Sequence, residues 1–265
     1  VLHLHQYRLV CAIGVCFTRG AECTRCHGRN TIPGVLLNCR GSRPEALSYG
    51  MGLALWQRRI AGAADAQIAP SRFAVARLEE LGAPSSGTHV LAPVIREFAP
   101  HSAPAPDGHA LLVARLAPEK GIDIAIEACR AAGVPLVVAG DGPEAARLSG
   151  VGGNIRFVGR VGDRELRALR AGASVALAPS LCAESFGLAA AEAMAAGLPV
   201  AGSRLGALPE LVPDEWLVPA GDAAALAAKI GRLRGNADEG GRAIGRARAL
   251  TAPEVVAPVL GAVYS

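Results

Sequence analysis

Two glutamates, Glu184 and Glu192, stand among small and apolar residues in the run E-S-F-G-L-A-A-A-E. Carboxylates at the edge of a core are costly unless a partner binds them. If both lie on one helix, eight residues at about 1.5 Å of rise each separate them by about 12 Å along one side. That span suits a sugar, a diphosphate and a ribose in line, with a carboxylate bonded to hydroxyls at each end. The alternative for Glu192 is a helix position that faces solvent.

Two cations stand in the run R-L-A-P-E-K-G, after the first strand that the sequence predicts beyond residue 110. Arg115 ends that strand and Lys120 opens the next helix, where the helix dipole disfavours a cation. A bound diphosphate would remove this mismatch, because it would contact both cations and the free amides of the helix start. The alternative is that Lys120 is a surface residue.

Alternating strands and helices must position these residues. The sequence predicts strands at residues 111–114, 135–139, 155–158, 175–178, 199–201 and 216–218. It predicts helices at residues 120–132, 163–171, 186–196, 208–212 and 223–233. Strands that are apolar on both faces and alternate with helices indicate a doubly wound α/β domain with about six parallel strands. Ligands of such sheets bind beyond the carboxyl ends of the strands.

The first third of the chain has the pattern of the C-terminal part of a second α/β unit. Strands are predicted at residues 2–5, 66–70 and 89–92, and helices at residues 46–61 and 72–81. The proline-containing residues 96–109 indicate a linker, and residues 253–264 a final helix. Because the first residues already have the pattern of a strand inside a sheet, we expect the chain to be a fragment.

Composition favours a globular protein, with 51% hydrophobic and 19% charged residues. The sequence has no secretory signal and no apolar run of about 18 residues, so we expect a cytoplasmic protein. Residues 1–95 carry ten arginines against five acidic residues, and the rest of the chain is nearly neutral. This basic third is either a solvated face or a surface for an anionic acceptor or for lipid headgroups at the inner membrane face. We expect no nucleic-acid binding, because no aromatic residues interleave with the arginines.

The motifs together resemble those of the large family 4 of retaining glycosyltransferases. The run E-S-F-G-L-A-A-A-E-A-M-A-A-G-L-P-V is similar to its E-x7-E signature, and R-L-A-P-E-K-G to its phosphate loop. A-G-D-G-P, F-V-G-R and P-E-L-V match further motifs in order and spacing, so the resemblance covers most of residues 110–235.

The resemblance implies the GT-B fold, in which two Rossmann-like domains enclose an active-site cleft. Residues 110–248 would be a complete nucleotide-sugar-binding domain, and residues 1–95 the C-terminal part of the acceptor-side domain. Residues 249–265 would cross back to that domain. Counterparts of the family's first strands and glycine-rich loop are missing, which implies that the chain lacks the start of the N-terminal domain.

The resemblance also implies roles for individual residues. Arg115 and Lys120 would bind the donor diphosphate, Glu184 the donor sugar and Glu192 the ribose. Residues implied to line the phosphates are Ser185, Phe186, Gly187, Leu188, Gly140 and Gly142. His5, in V-L-H-L-H-Q-Y-R-L-V-C, would lie near the transferred sugar. A-P-V-I-R replaces the family's usual Pro-Asn-Gly before the linker, a departure at the hinge.

Five of the seven cysteines lie in the loop 11–39. Cys11, Cys23, Cys26 and Cys39 have the spacing C-x11-C-x2-C-x12-C, which would allow a structural zinc site. Reduced, unligated cysteines and a redox or disulfide role are the alternatives, the last disfavoured by a reducing cytosol.

The function predicted from these residues is that of a retaining glycosyltransferase, of the kind used in polysaccharide biosynthesis. It would move a hexose from a nucleotide diphosphate sugar to a hydroxyl of a saccharide or lipid-linked acceptor, and no cofactor is required. The alternative is a non-catalytic nucleotide-sugar-binding protein or an inactive fragment. A nicotinamide-dependent oxidoreductase is disfavoured, because G-x-G-x-x-G does not follow the first strand of residues 110–248.

Overall fold

The computed structural model describes residues 1–85 and 87–264. We call residues 1–95 the N-terminal unit and residues 110–248 the C-terminal unit. Each unit has its own parallel sheet and its own cluster of buried apolar side chains.

The N-terminal unit has a small sheet beside a long loop. Its strands are β1 (Leu2–His3), β2 (Phe17–Thr18), β3 (Ala21–Glu22), β4 (Gln67–Ala69) and β5 (Thr88–Val90). Its helices are α1 (Ile32–Leu36), α2 (Arg43–Gly62) and α3 (Arg72–Glu80). Strands β1, β4 and β5 form a parallel sheet in that order, and β2 and β3 form an antiparallel hairpin. Because β1 ends at His3, the loop to residue 16 begins before His5.

The C-terminal unit contains a six-stranded parallel sheet. Its strands are β6 (His109–Val113), β7 (Leu136–Ala139), β8 (Ile155–Gly159), β9 (Ala173–Ala178), β10 (Val200–Ser203) and β11 (Leu217–Val218). Their order is β11-β10-β9-β6-β7-β8. The chain runs outward from β6 to β8 and then returns to the other side of β6 at β9. The reversal point between β6 and β9 is where a doubly wound sheet opens a crevice at its carboxyl edge.

Helices cover both faces of this sheet. They are α4 (Ile122–Ala132), α5 (Ala145–Leu148), α6 (Asp163–Ala171), α7 (Leu188–Ala195), α8 (Leu208–Leu211), α9 (Ala223–Leu233) and α10 (Ala237–Thr251). Helix α4 packs on α9, and α7 packs on α10. Right-handed crossovers place these two pairs on opposite faces. All four residues of β7 are therefore buried, as the apolar run predicted.

Helix α10 was not predicted from the sequence. Three of its residues are glycines, which weaken a helix by about 1 kcal/mol each. Asn236 caps its start by accepting a hydrogen bond from Glu239 N. A Cβ on Gly240 would collide with Ser102 and with the Gly197 carbonyl, so tight packing rather than helix propensity explains this glycine.

The chain ends in helix α11 (Pro253–Tyr264), as the sequence predicted, and Ser265 lies outside the described residues. The helix reaches the N-terminal unit, where the Tyr264 hydroxyl lies 3.2 Å from His3 Nε2. In the part of the chain that the structure describes, no helix is both long and apolar enough to cross a membrane.

Candidate active site

The loops after β6 and β9 meet at the reversal point and bring Lys120 to Glu184. Lys120 Nζ lies 2.6 Å from Glu184 Oε1, and the Ser180 hydroxyl donates to the same oxygen over 2.6 Å. The loops are joined a second time where Leu181 N donates to Glu119 O over 2.8 Å. Two residues predicted to share a site are thus in direct contact.

The Lys120–Glu184 pair is largely buried, with 24% and 20% of the two side chains exposed. Burial alone would lower the pKa of Lys120, but the charge and the hydrogen bond of Glu184 outweigh burial and raise this pKa above its ordinary value. Lys120 is therefore a fixed cation at neutral pH.

Two glycines with left-handed backbones allow the loops to approach so closely. Gly121 has φ +65°, and a Cβ there would collide with the carbonyl group of Pro179, in the loop after β9. Gly206, also at φ +65°, lies against the backbone of Glu184. Ala207 N then donates to the Glu184 carbonyl over 2.9 Å. The loop after β9, which carries Pro179 and Glu184, is thus held between the loops after β6 and β10.

Gly140 and Gly142 lie under the cation-bearing loop after β6. A Cβ on Gly140 would collide with the Ala114 carbonyl, and one on Gly142 with the backbone of Leu116. The structure therefore places both predicted phosphate-turn glycines next to R-L-A-P-E-K-G, where their small size is needed for packing.

Arg115 lies on the same loop as Lys120 but pairs locally. Its Nη2 is 2.5 Å from Glu119 Oε1, and 59% of its side chain is exposed. The Glu119 side chain is only 8% exposed. A bound anion would therefore compete with Glu119 for Arg115 and with Glu184 for Lys120.

The helix after Glu184 begins later than predicted. Gly187, at φ +94°, is the N-cap, and α7 starts at Leu188 rather than near residues 185–187. A Cβ on Gly187 would press on Leu208, so the chain turns here before the helix can form. Glu184 therefore lies in the loop, and the distance of about 12 Å along one helix is wrong.

The other predicted phosphate contacts flank this turn. Ser185 and Phe186 precede the helix, with the Phe186 side chain in the core, and Leu188 opens the first turn with its side chain 46% exposed. Free amides of the first turn of α7 thus face the same end of the sheet as Lys120.

Glu192 has a different partner and lines a different cavity. Its Oε2 lies 2.5 Å from Arg170 Nη2. About a third of the Glu192 side chain, 36%, is exposed, so this residue is neither fully solvent-facing nor buried. The two residues line a cavity of about 540 Å³ between α6, α7 and residues 94–99. Among the described residues, Arg170 Nε is buried without a hydrogen-bond partner. A donor and an acceptor are therefore both available at this cavity wall.

His5 contacts the loop after β9 through its backbone carbonyl. The Ser185 hydroxyl donates to the His5 carbonyl over 2.8 Å, and the exposed His5 ring stacks on His3 at 5.6 Å. The Tyr7 hydroxyl lies 3.5 Å from the Ala183 carbonyl. The N-terminal unit thus contacts the residues on both sides of Glu184.

Sequence reasoning missed several of these contacts. Arg170, Ser71, Tyr7, Ser180 and Glu210 were not singled out, although Tyr7 and Glu210 stand inside the quoted motifs V-L-H-L-H-Q-Y-R-L-V-C and P-E-L-V. Hydroxyl and carboxylate groups inside matched motifs were the available signal, and no such signal marked Arg170.

The cysteines of loop 11–39 surround one small apolar cavity of about 10 Å³. The five that line it are Cys11, Cys16, Cys23, Cys26 and Cys39, and all seven cysteines are free thiols. Within residues 1–85 and 87–264, no group of three or more metal-binding side chains is arranged to hold an ion. The four thiols predicted as zinc ligands therefore do not fit a zinc site in this arrangement.

Comparison with known proteins matches residues 108–236 to the family model described as Glycosyl transferases group 1. A phosphatidyl-myo-inositol mannosyltransferase of Mycobacterium leprae is 40% identical over 121 residues, which are 42% of this chain and 32% of that protein. The structure of sucrose-phosphate synthase from Thermosynechococcus elongatus matches with a TM-score of 0.66 and 27% identity, over 81% of this chain and 61% of that one.

A structure of Anabaena HepE in complex with UDP and glucose has a TM-score of 0.64 at 20% identity, over 85% of this chain and 68% of that one. These likenesses confirm the expected α/β architecture of GT-B type. The chain spans about a third of the length of the curated relatives it matches.

Proposed function

We propose that the chain binds a nucleotide diphosphate sugar and takes part in hexosyl transfer, because residues 108–236 match the family model described as Glycosyl transferases group 1. The observation that carries the proposal is the Lys120–Glu184 pair at the sheet's reversal point. A cation and a carboxylate in contact there match the two kinds of group that a sugar diphosphate presents, an anion and hydroxyls.

The diphosphate would lie between Lys120 and the first turn of α7. Lys120 supplies a permanent charge, and the helix amides supply hydrogen-bond donors without reorganisation. Arg115 adds a second charge when it leaves Glu119. Together these groups stabilise the charge that develops on the diphosphate as it leaves the sugar.

Glu184 would bind a hydroxyl of the transferred sugar. When a phosphate draws Lys120 away, the Glu184 carboxylate keeps the Ser180 hydroxyl and gains a free acceptor position for the sugar. Glu192 and Arg170 offer an acceptor and a donor to the ribose and its neighbouring groups in the second cavity.

Transfer with retention would proceed on the front face of the sugar. The bond from the anomeric carbon to the phosphate oxygen breaks, and the acceptor oxygen bonds to the same carbon from the same face. The acceptor proton passes to the leaving phosphate oxygen, so no protein nucleophile is used. Placement of the first loop of the N-terminal unit beside Ser185 supports a role for His5 on the acceptor side.

Calorimetry with UDP-glucose, GDP-mannose and ADP-glucose tests donor binding, and a product assay with saccharide and lipid-linked acceptors tests transfer. UDP is a sensible first nucleotide, because HepE, a structural neighbour, was solved with UDP and glucose. Binding by none of these sugars contradicts the proposal. Binding without turnover supports the alternative of a non-catalytic nucleotide-sugar-binding chain.

The proposal includes a peripheral membrane contact by a cytoplasmic protein. Among the described residues, half of the large apolar side chains that are exposed lie on α1 and α2: Ile32, Leu36, Leu47, Met51, Leu55, Trp56 and Ile60. Exposed arginines at positions 43, 58 and 59 accompany them, a combination that suits an anionic bilayer. We expect the protein to sediment with phosphatidylglycerol vesicles but not with phosphatidylcholine vesicles. Binding to neither kind of vesicle, or equal binding to both, would contradict the proposed membrane contact.

Zinc has no part in the proposed chemistry. The four cysteines predicted to hold it lie away from the Lys120–Glu184 pair in sequence and surround their own cavity. A structural zinc there is a separate prediction that metal analysis decides.

A further inference from the structure

The start of α3 touches the loop that carries Glu184. The Ser71 hydroxyl donates to the Ser185 carbonyl over 2.7 Å and accepts from Ala74 N over 3.0 Å. Ser71 is only 3% exposed, so water does not compete with these bonds. One hydroxyl thus caps a helix of the N-terminal unit and holds the peptide that follows Glu184.

Glu210 holds the same helix start from the C-terminal unit. Its Oε1 accepts from Phe73 N over 2.6 Å, and its Oε2 accepts from Arg72 N over 3.1 Å. A carboxylate there satisfies two of the unpaired amides of a helix start and suits the helix dipole. The Arg72 side chain is 83% exposed, so its own ion pair with Glu210, at 3.6 Å, adds little.

The backbone that presents Glu210 is itself fixed. Arg246 on α10 donates from Nε to the Leu211 carbonyl over 2.7 Å and from Nη2 to the Glu210 carbonyl over 3.0 Å. Ala207, directly before α8, donates to the Glu184 carbonyl. The segment 207–211 therefore contacts both the peptide of Glu184 and the helix that holds Ser185.

We infer that Glu210 is a positioning residue for Glu184: it docks the start of α3 so that Ser71 fixes the Ser185 peptide beside the sugar-binding carboxylate. The inference rests on the proposed function, in which Glu184 binds the donor sugar. Glu210 acts through Ser71 and Ser185, across the cleft between the two units. Sugar binding by the C-terminal unit is thereby coupled to docking of the start of α3.

A simple stabilising contact would behave differently. If Glu210 only held the two units together, its loss would weaken the binding of all ligands equally, or would lower only the free energy of unfolding. If it positions Glu184, its loss weakens the sugar contact more than the diphosphate contact, because Lys120 lies on the loop after β6 and helix α7 is packed on α10. The affinity ratio of a nucleotide sugar to its own nucleoside diphosphate separates the two cases.

The test compares Glu210→Ala with wild type by calorimetry, with UDP-glucose against UDP and GDP-mannose against GDP. If the docked loop falls to about a tenth of the population, the nucleotide sugar binds about tenfold more weakly, while the nucleoside diphosphate changes by less than about twofold. The control is Glu80→Ala, which removes an exposed carboxylate from the other end of α3. Equal weakening of both ligands, or no change in either, overturns the inference.

Hydrogen exchange gives a readout that does not need a bound donor. In Glu210→Ala, and in Glu210→Gln if the alanine variant does not fold, peptides covering residues 180–187 and the first turn of α3 should exchange faster together. Ser71→Ala should reproduce the effect at residues 180–187, and its combination with Glu210→Ala should add little. If wild type binds none of the nucleotide sugars, the proposed function fails, and unchanged exchange at residues 180–187 would separately reject the coupling.

Discussion

Lys120 Nζ and Glu184 Oε1 lie 2.6 Å apart, although 64 residues separate them in the chain. The contact exists because parallel strands β6 and β9 are neighbours whose carboxyl ends share one edge of the sheet. Both charges are more than three-quarters buried, so each depends on the other for its solvation.

Replacement of Lys120 by alanine should remove donor binding. The diphosphate loses its buried cation and Glu184 is left unpaired, so we expect affinity for the nucleotide sugar to fall by about a hundredfold or more, measured by calorimetry. Arg147→Ala is the matched control, because it removes an exposed cation of the same unit. Full affinity in Lys120→Ala would reject the site.

Replacement of Glu184 by glutamine should change how stability depends on pH. In wild type the raised pKa of Lys120 means that its stabilising contribution is complete below the ordinary lysine pKa and is lost as the pH rises through the folded-state pKa. Without the Glu184 charge, burial lowers this pKa, and the free energy of unfolding then rises with pH over the alkaline range.

The difference in unfolding free energy between wild type and Glu184→Gln should therefore narrow as the pH rises from 7 to about 10.4, the ordinary lysine pKa. Denaturant unfolding at several pH values measures it. The control is Glu127→Gln on α4, an exposed carboxylate. A difference that widens with pH would show that Lys120 and Glu184 are not paired in solution.

Arg170→Met should weaken the binding of all nucleotides, with or without a sugar. The cavity that we propose for the ribose loses the Arg170 guanidinium, and Glu192 loses its partner, so UDP and UDP-glucose should both bind about tenfold or more weakly. Glu192→Gln should give an effect of similar size. Arg164→Met is the control on the same helix, because that side chain is exposed and does not line the cavity. If the affinity for UDP-glucose falls while the affinity for UDP is unchanged, the ribose binds elsewhere.

Gly121→Ala should be more damaging than Gly133→Ala, although the two glycines have nearly the same backbone angle, φ +65° and +64°. Left-handed strain costs about 1–2 kcal/mol at either position. Only at Gly121 does the new Cβ meet the Pro179 carbonyl, whereas at Gly133 it meets open space. Thermal unfolding should show the larger loss for Gly121→Ala, together with weakened donor binding, and equal losses would argue against close contact of the two loops.

Metal analysis of the purified chain should find less than stoichiometric zinc. The thiols of the four predicted ligands are not arranged to hold an ion, and free sulfurs line the cavity instead. Chelator treatment should therefore leave thermal unfolding unchanged. One bound zinc for each chain, lost with Cys26→Ser but not with Cys129→Ser, would restore the zinc prediction.

Strand and helix periodicity was enough to predict the six-stranded sheet. Helices α6, α9 and α11 begin and end where the pattern indicated, and in α9 the buried Leu226, Ile230 and Leu233 recur at helical spacing. The sequence also predicted that Lys120 and Glu184 follow the carboxyl ends of β6 and β9, and therefore that the two residues share one site.

Contacts between distant segments could not be read from local pattern. A helix was predicted from residue 186, yet packing of Gly187 against Leu208 delays the start of α7 to Leu188. The three glycines of α10 weaken its helical signal, and Gly240 is needed there because it packs against Ser102 and the Gly197 carbonyl. Arg170 pairs with Glu192 only because α6 and α7 lie side by side, which no spacing within either helix reveals.

Bonds across the cleft bear on how chimeras between related chains should be built. Tyr7 and Ser71 on one side contact the carbonyl groups of Ala183 and Ser185, and Glu210 on the other side reaches back to α3. A chimera whose two halves are fused within residues 96–109 would take these contacting residues from different parents, although the fusion point lies far from all of them in sequence. Exchange of N-terminal units should therefore succeed when positions 7, 71 and 210 are transferred as a set, so that the foreign unit still fits the loop after β9.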